Sequence, residues 1–188
     1  MAIEQAKYTV LLKSSAFELR QYQPQIVAGT FVAGEFEQVG NIAFRRLVAY
    51  ISGSNRKKES MPMTAPVTQE TQSEKIAMTA PVNQEKNDGK WWITFLMPSK
   101  YSLKTLPEPL DSKIELKEIP ARIMAVIKYS GTWNKERYQA KEILLRNWIQ
   151  KLPWKIVGEP VFARYDPPFK PWFLRRNEIL FLVEPIKK

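Results

Sequence analysis

An α+β fold is predicted for this chain: a curled, mainly antiparallel sheet or distorted barrel with two helices on its outside. Three observations predict it. The chain aligns with itself without a gap at a shift of 97 positions, stretches of period-two alternation flank stretches of helical period, and Gly or Pro punctuates the joins. The shift lays Phe17-Glu-Leu-Arg20 on Ile114-Glu-Leu-Lys117, and Ile26, Ala28, Gly34, Phe36, Ala43 and Leu47 on Ile123, Ala125, Gly131, Trp133, Ala140 and Leu144. The reading is one domain over residues 1–188, built of a duplicated βαββ unit with pseudo-repeats at about 8–98 and 105–185.

Each element follows from its residues. Phe17–Tyr22 and Ile114–Ile119 alternate apolar with charged side chains, as half-buried strands do, and Pro24 and Pro120 turn the chain after them. Ile26–Val32 and Ile123–Tyr129 are β-branched and aromatic runs stopped by Gly34 and Gly131. Val39, Ile42, Ala43, Leu47 and Ile51 recur at helical spacing before the stop Ser52-Gly53. The matching stripe is Tyr138, Leu144, Leu145, Trp148 and Leu152, ended by Pro153. Two strand-like runs then close each half. They are the Met-Thr-Ala-Pro-Val region and Trp91–Met97 in the first, and Trp154–Ala163 and Glu178–Val183 in the second.

Composition narrows the chemistry. The chain has 188 residues, 44 % of them hydrophobic and 26 % charged, which fits a globular protein with a sizeable core. No apolar run reaches the roughly 20 residues of a membrane span, so no integral membrane association is expected. The first residues form no apolar signal core, so the expected location is cytoplasmic. There is no Cys and no His, which removes disulfides, thiolates, imidazole acid–base chemistry and the commonest haem ligand together. The net charge of +10 is spread along the chain without a nucleic-acid motif, so a solvated basic surface is expected and no nucleic-acid partner.

The pentapeptide Met-Thr-Ala-Pro-Val occurs at Met63–Val67 and again at Met78–Val82. Its Pro cannot donate to a sheet ladder, so each copy reads as an edge strand or bulge beside a cavity. Ile76–Val82, Phe95-Leu-Met-Pro-Ser99, Tyr129-Ser-Gly-Thr-Trp133 and Arg175-Arg-Asn-Glu178 follow in the order seen in the SOUL haem-binding protein family. The chain resembles that family from about Tyr8 to Pro185, and the resemblance implies the same architecture, one shared with bacterial effector-binding domains.

Between two strands of the second half lies Arg164–Glu178, with three prolines and four aromatics inside Tyr165–Phe173. Proline limits the freedom the loop loses on ordering, so its rings can be held in a fixed pose. With Lys170, Arg175 and Arg176 beside them, they suit a flat apolar ligand with an anionic rim, or else close the sheet end as core. In the first helix, Phe44, Val48 and Ile51 read as core while Arg45 and Arg46 point elsewhere. Met61, Met63, Met78 and Met97 could ligate haem iron but read rather as packing residues, with Tyr101 and Tyr165 as the phenolic candidates for ligation. Glu178 reads as a structural ion pair with the neighbouring arginines.

The family resemblance implies a tetrapyrrole in an apolar groove between the first helix and the Pro-rich loop, without a histidine ligand. The residues it implies are Asn41, Arg45, Val48, Met61, Met63, Tyr165, Phe169, Trp172, Phe173 and Arg175. Where the family carries cationic partners for propionates, this chain has Asn41 and Ala49. No catalytic constellation and no metal-ligand spacing is visible. The expected function is a non-catalytic carrier or buffer of haem or another porphyrin, a small hydrophobic anionic ligand bound non-covalently. The alternatives are a small-molecule effector-binding module, or a protein that docks on another protein or a membrane surface.

Overall fold

Strands β1 (Tyr8–Ser14), β2 (Phe17–Tyr22) and β3 (Gln25–Val32) lead into helix α1 (Phe36–Ile51). The two-residue β4 (Asn55–Arg56), then β5 (Val82–Asn87), β6 (Lys90–Leu96) and the two-residue β7 (Glu108–Pro109) follow. The second half comprises β8 (Ile114–Ile119), β9 (Arg122–Ser130), α2 (Lys135–Ile149), β10 (Trp154–Arg164), a single 3₁₀ turn at Trp172–Leu174, and β11 (Arg176–Pro185). These come from a computed structural model that describes residues 3–57, 73–132, 134–167 and 169–186.

Among the described residues nine strands form one antiparallel sheet in the order β1-β2-β9-β11-β10-β5-β6-β3-β8, and β4 pairs with β7 apart from it. The sheet is open, with β1 and β8 as its edges, so of the two expected forms the closed barrel is not adopted. The shift of 97 relates two of its ladders. Phe17 faces Ile127 and Tyr22 faces Arg122 between β2 and β9, while Ile114 faces Thr30 and Ile119 faces Gln25 between β8 and β3. Exchanging β2, β3, β5 and β6 with β8, β9, β10 and β11 reverses their order across the sheet and so preserves every neighbour.

Both helices lie on one face. Val39, Ala43, Leu47 and Tyr50, spaced to share one side of α1, are buried against Ala28, Ile93, Phe95 and Ile114. Leu145 and Ile149 of α2 are buried against Leu19, Ala125, Phe162, Ile179 and Phe181. Asn134 caps α2, its Oδ1 accepting from Arg137 N at 3.1 Å. That helix ends at Ile149 rather than at the proline, because Pro153 disfavours helical backbone just before it and the chain turns through Lys151 and Leu152. No helix among the described residues is long and apolar enough to cross a membrane.

The other face carries a third cluster, Tyr22, Met124, Val126, Val161, Ala163 and Leu180, with Ala6 and Tyr8 of the N-terminal segment against it. Charged positions of β2 point here and are buried. Arg20 is 0 % exposed; its guanidinium donates to Glu178 at 2.8 and 3.0 Å, to Glu18 at 2.7 Å and to the Tyr22 hydroxyl at 2.8 Å. At Gly29 a methyl group would collide with the Trp92 ring, which lies tilted on Phe31 beneath the Lys117 ammonium.

Two expectations are corrected. The copy at Met78–Val82 does not form a strand: only Val82 enters β5, and Met78–Pro81 is irregular chain with a cis Ala80–Pro81 bond and one isolated bridge from Ala80 to Gln5. The Pro nitrogen has no hydrogen to offer a ladder, which is why pairing starts after it. The edge strand β1, which the sequence reading did not include, pairs with β2 through an irregularity between Val10 and Leu12. The copy at Met63–Val67 lies outside the described residues.

Candidate ligand-binding site

Helix α1 lies over a strip of the sheet that ends at Arg164, the last residue of β10. Val82 of β5 faces Arg164 at the end of β10 and Phe95 of β6 on its other side. The Phe44 ring of α1 packs edge-on to Phe95, with centroids 5.5 Å apart. A Cβ on Gly40 would lie 3.1 Å from Arg164 Nη1, so glycine lets the helix approach the root of the loop closely. The Arg164 guanidinium sits 5.5 Å over the Phe36 ring, and its Nη2 donates to Gln84 Oε1.

The loop is tied at its base. Asp166 accepts from Arg176 N at 2.6 Å and from Lys170 Nζ at 2.7 Å, and Arg175 Nε donates to the Lys170 carbonyl at 2.7 Å. Burial alone would raise the Asp166 carboxyl, but these bonds and the two cations hold it below its ordinary value. Backbone bonds from Lys170 N to Pro167 O and from Leu174 N to Pro171 O close two turns. On this frame the rings stand outward: Phe169 is 87 % exposed, Trp172 53 %, Phe173 57 % and Leu174 56 %. Trp172 and Phe173 pack T-shaped, 5.6 Å apart. The alternative that these side chains fill core is therefore not realised.

Of the residues implied at the site, Asn41 and Arg45 lie exposed on α1 and Val48 is half-buried there, one helical turn from Phe44. Phe44 is 40 % exposed, so of the three positions read as core only Ile51 is fully buried. Phe169, Trp172, Phe173 and Arg175 share the loop. Met61 and Met63 lie outside the described residues. Met78 is exposed and Met97 is buried under α1.

Tyr165 parts from the group. Its side chain belongs to the face without helices, its hydroxyl donates to Glu178 Oε2 at 2.9 Å, and Arg176 lies 3.9 Å over its ring. Burial and the neighbouring Glu178 push its phenol far above the ordinary range, so it stays protonated and is a poor candidate for an iron-bound phenolate. Tyr101 is no closer to the loop: its hydroxyl donates to Glu74 Oε1 at 2.6 Å, beyond the far end of α1. Glu178 does make a structural ion pair, with Arg176 and also with Arg20 from β2. Burial raises its carboxyl, but hydrogen bonds from Arg20 and the charges of Arg20 and Arg176 together hold it below the ordinary value.

Sequence reasoning missed Leu174 and misplaced Phe44. Leu174 follows directly on the Trp-Phe pair, and an apolar residue ending a Pro-stiffened run was the available signal. Elsewhere, a cleft of about 220 Å³ lies between Glu4–Lys7 and the residues Gln23–Ile26 and Leu96–Ser99. A cavity of about 20 Å³ is lined by Arg122, Tyr22, Tyr165 and Met124 on the helix-free face. Arg122 Nε is buried there without a hydrogen-bond partner among the described residues.

Residues 3–182 match the family described as SOUL heme-binding protein. The chain is 27 % identical over 168 residues to "Heme-binding protein 1" of Xenopus tropicalis, covering 89 % of this chain and 83 % of the relative. It is 25 % identical over 179 residues to "Heme-binding protein 2" of Homo sapiens, covering 92 % and 82 %. Among solved structures, the EcmrR C-terminal domain superposes with a TM-score of 0.61 at 13 % identity, covering 95 % of this chain and 98 % of that one. A protein described as a hydrolase from Listeria innocua superposes at 0.56 and 12 % identity, covering 93 % and 94 %; both likenesses are of fold alone. With the family matched over nearly the whole chain, this protein belongs to the SOUL haem-binding protein family.

Proposed function

We propose that this protein binds haem or another tetrapyrrole without catalysing a reaction, in an apolar groove between α1 and the loop after β10. The observation that carries the reading is the pose of Phe169, Trp172 and Phe173: large rings held outward on a braced loop that follows Arg164, the residue α1 approaches at Gly40. Phe44 and Val48 would supply the opposite wall, and the porphyrin plane would lie against these rings by apolar contact. Arg45, Lys170 and Arg175 are the cations nearest in sequence to those walls and would pair with propionates, guanidinium groups doing so in two-point fashion.

The residues present fit a porphyrin better than they fit its iron. With no His or Cys in the chain and the Tyr165 phenol engaged by Glu178, affinity rests on ring burial and propionate pairing. Asn41 and Ala49 supply no charge where the family does, so Arg45 and the loop cations carry that part alone. A hemin titration followed in the Soret band tests the reading: a saturable single-site change supports it, and a change that never saturates refutes it.

A second reading would rest on Glu85, which stands opposite Val161 on the helix-free face, away from that groove, and whose carboxyl burial raises despite the charge of Arg122. A buried carboxyl that gives up its proton when a cation arrives would suit an effector-binding module that takes amphipathic cations. Saturable binding of rhodamine 6G in place of hemin, lost in Glu85→Gln, would select it. We also propose that the chain arose by duplication of a βαββ unit; the shared register of the β2–β9 and β3–β8 ladders supports this.

A further inference from the structure

We propose that the loop Phe169–Leu174 docks the protein on an anionic lipid surface. Four large apolar side chains within six residues are each more than half exposed: Phe169 at 87 %, Trp172 at 53 %, Phe173 at 57 % and Leu174 at 56 %. Singly exposed apolar residues are ordinary on a protein surface, but a contiguous set with two rings in contact marks an interaction site. The set is also pre-ordered. Asp166 is fixed by Lys170 and by Arg176 N, Arg175 Nε holds the Lys170 carbonyl, and Leu174 N closes on Pro171 O. Little freedom is left to lose on docking.

Charge selects the occupant. Residues 165–178 contain Lys170, Arg175 and Arg176 against Asp166, paired with Lys170, and Glu178, paired with Arg176, and the whole chain carries +10. Aromatic tips with cations set back at their base match the layering of a bilayer surface. Trp and Phe enter at the boundary of headgroup and acyl chain, and Lys and Arg remain level with anionic headgroups. The long-range field of a strongly basic protein draws it to such a surface before the rings make contact. Docking stands apart from tetrapyrrole binding, since it needs only the loop and the charge. It would nevertheless bring the loop to the layer into which flat lipophilic anions partition.

The test uses the full chain without tetrapyrrole, sedimented with phosphatidylcholine vesicles that contain or lack about a third phosphatidylserine. The protein should partition onto the anionic vesicles, several-fold less in high salt, and only weakly onto neutral ones. Trp172→Ala with Phe173→Ala should weaken partitioning by about tenfold or more while leaving the melting temperature in place, because both side chains are exposed. Phe169→Ser, at the most exposed position, should weaken it in the same direction and guards against a folding defect in the double variant. Absence of binding to anionic vesicles overturns the proposal, as does equal binding to neutral ones or wild-type partitioning by both variants. Self-association abolished by the same substitutions, without vesicle binding, would assign the loop to a second copy of this chain and overturn it too.

Discussion

Arg20→Met should destabilise the protein by about 3 kcal/mol, because removing one member of a buried ion pair typically costs ~3–5 kcal/mol. The guanidinium is fully buried and makes four hydrogen bonds, two to Glu178, one to Glu18 and one to the Tyr22 hydroxyl. The substitution leaves Glu178, itself 1 % exposed, with Arg176 at 2.7 and 3.0 Å and with the Tyr165 hydroxyl. Glu18 keeps Lys128 at 2.8 Å. Those remaining partners place the expected loss at the lower end of the range. In a domain of this size it corresponds to a fall in melting temperature of about 10 °C. Urea unfolding measures it directly, with the midpoint moving and the slope unchanged. Arg20→Met combined with Glu178→Leu should cost clearly less than the sum of the two single changes, since the second then removes a carboxylate already deprived of its partner. A loss below about 1 kcal/mol, or strict additivity, would show that the cluster contributes little and refute the reasoning.

Three ion-paired carboxylates, two of them in that cluster, set an acid limit. Glu18, Asp166 and Glu178 are all held below their ordinary values in the folded state by their cationic partners, against burial. Their contribution is therefore complete above the ordinary carboxylate range and is lost as pH falls through the lowered folded values. Denaturation series from pH 7 downward should show this loss, and Arg20→Met should flatten it; an unflattened profile contradicts the assignment. Gly29→Ala should cost about 1–3 kcal/mol, because the new methyl meets the Trp92 ring, and near-wild-type unfolding would show that the ring yields freely. Removing the exposed rings at Trp172 and Phe173 should weaken hemin binding about tenfold, as expected for lost apolar cover, with stability unchanged within about 0.5 kcal/mol. Undiminished affinity would move the site elsewhere.

Much of the architecture was legible because register leaves a mark in sequence. Period-two alternation marked β2 and β8, and β-branched runs marked β3 and β9. The burial of Arg20 was not legible. An arginine at an alternating position reads as solvent-facing, and the Tyr8 ring over which Arg20 lies and the Glu178 carboxylate it binds come from β1 and from the distant β11. Strand β1 was missed because Val10, Leu11 and Leu12 are consecutive apolar residues without alternation, all of them largely exposed. At the candidate site the loop composition pointed to Phe169, Trp172, Phe173 and Arg175, and the structure places them on one braced segment. Tyr165 belonged to the same run in sequence, yet strand alternation continuing past β10 sends it to the opposite face.

Comparing hemin with iron-free protoporphyrin IX under identical conditions tests the central claim most directly. If burial of the ring and pairing of the propionates provide the affinity, the two Kd values should agree within about threefold, since the absence of histidine and cysteine leaves little for iron to add. Hemin binding tighter by about a hundredfold, equivalent to some 2.7 kcal/mol, would reveal an iron ligand in this chain and contradict the account.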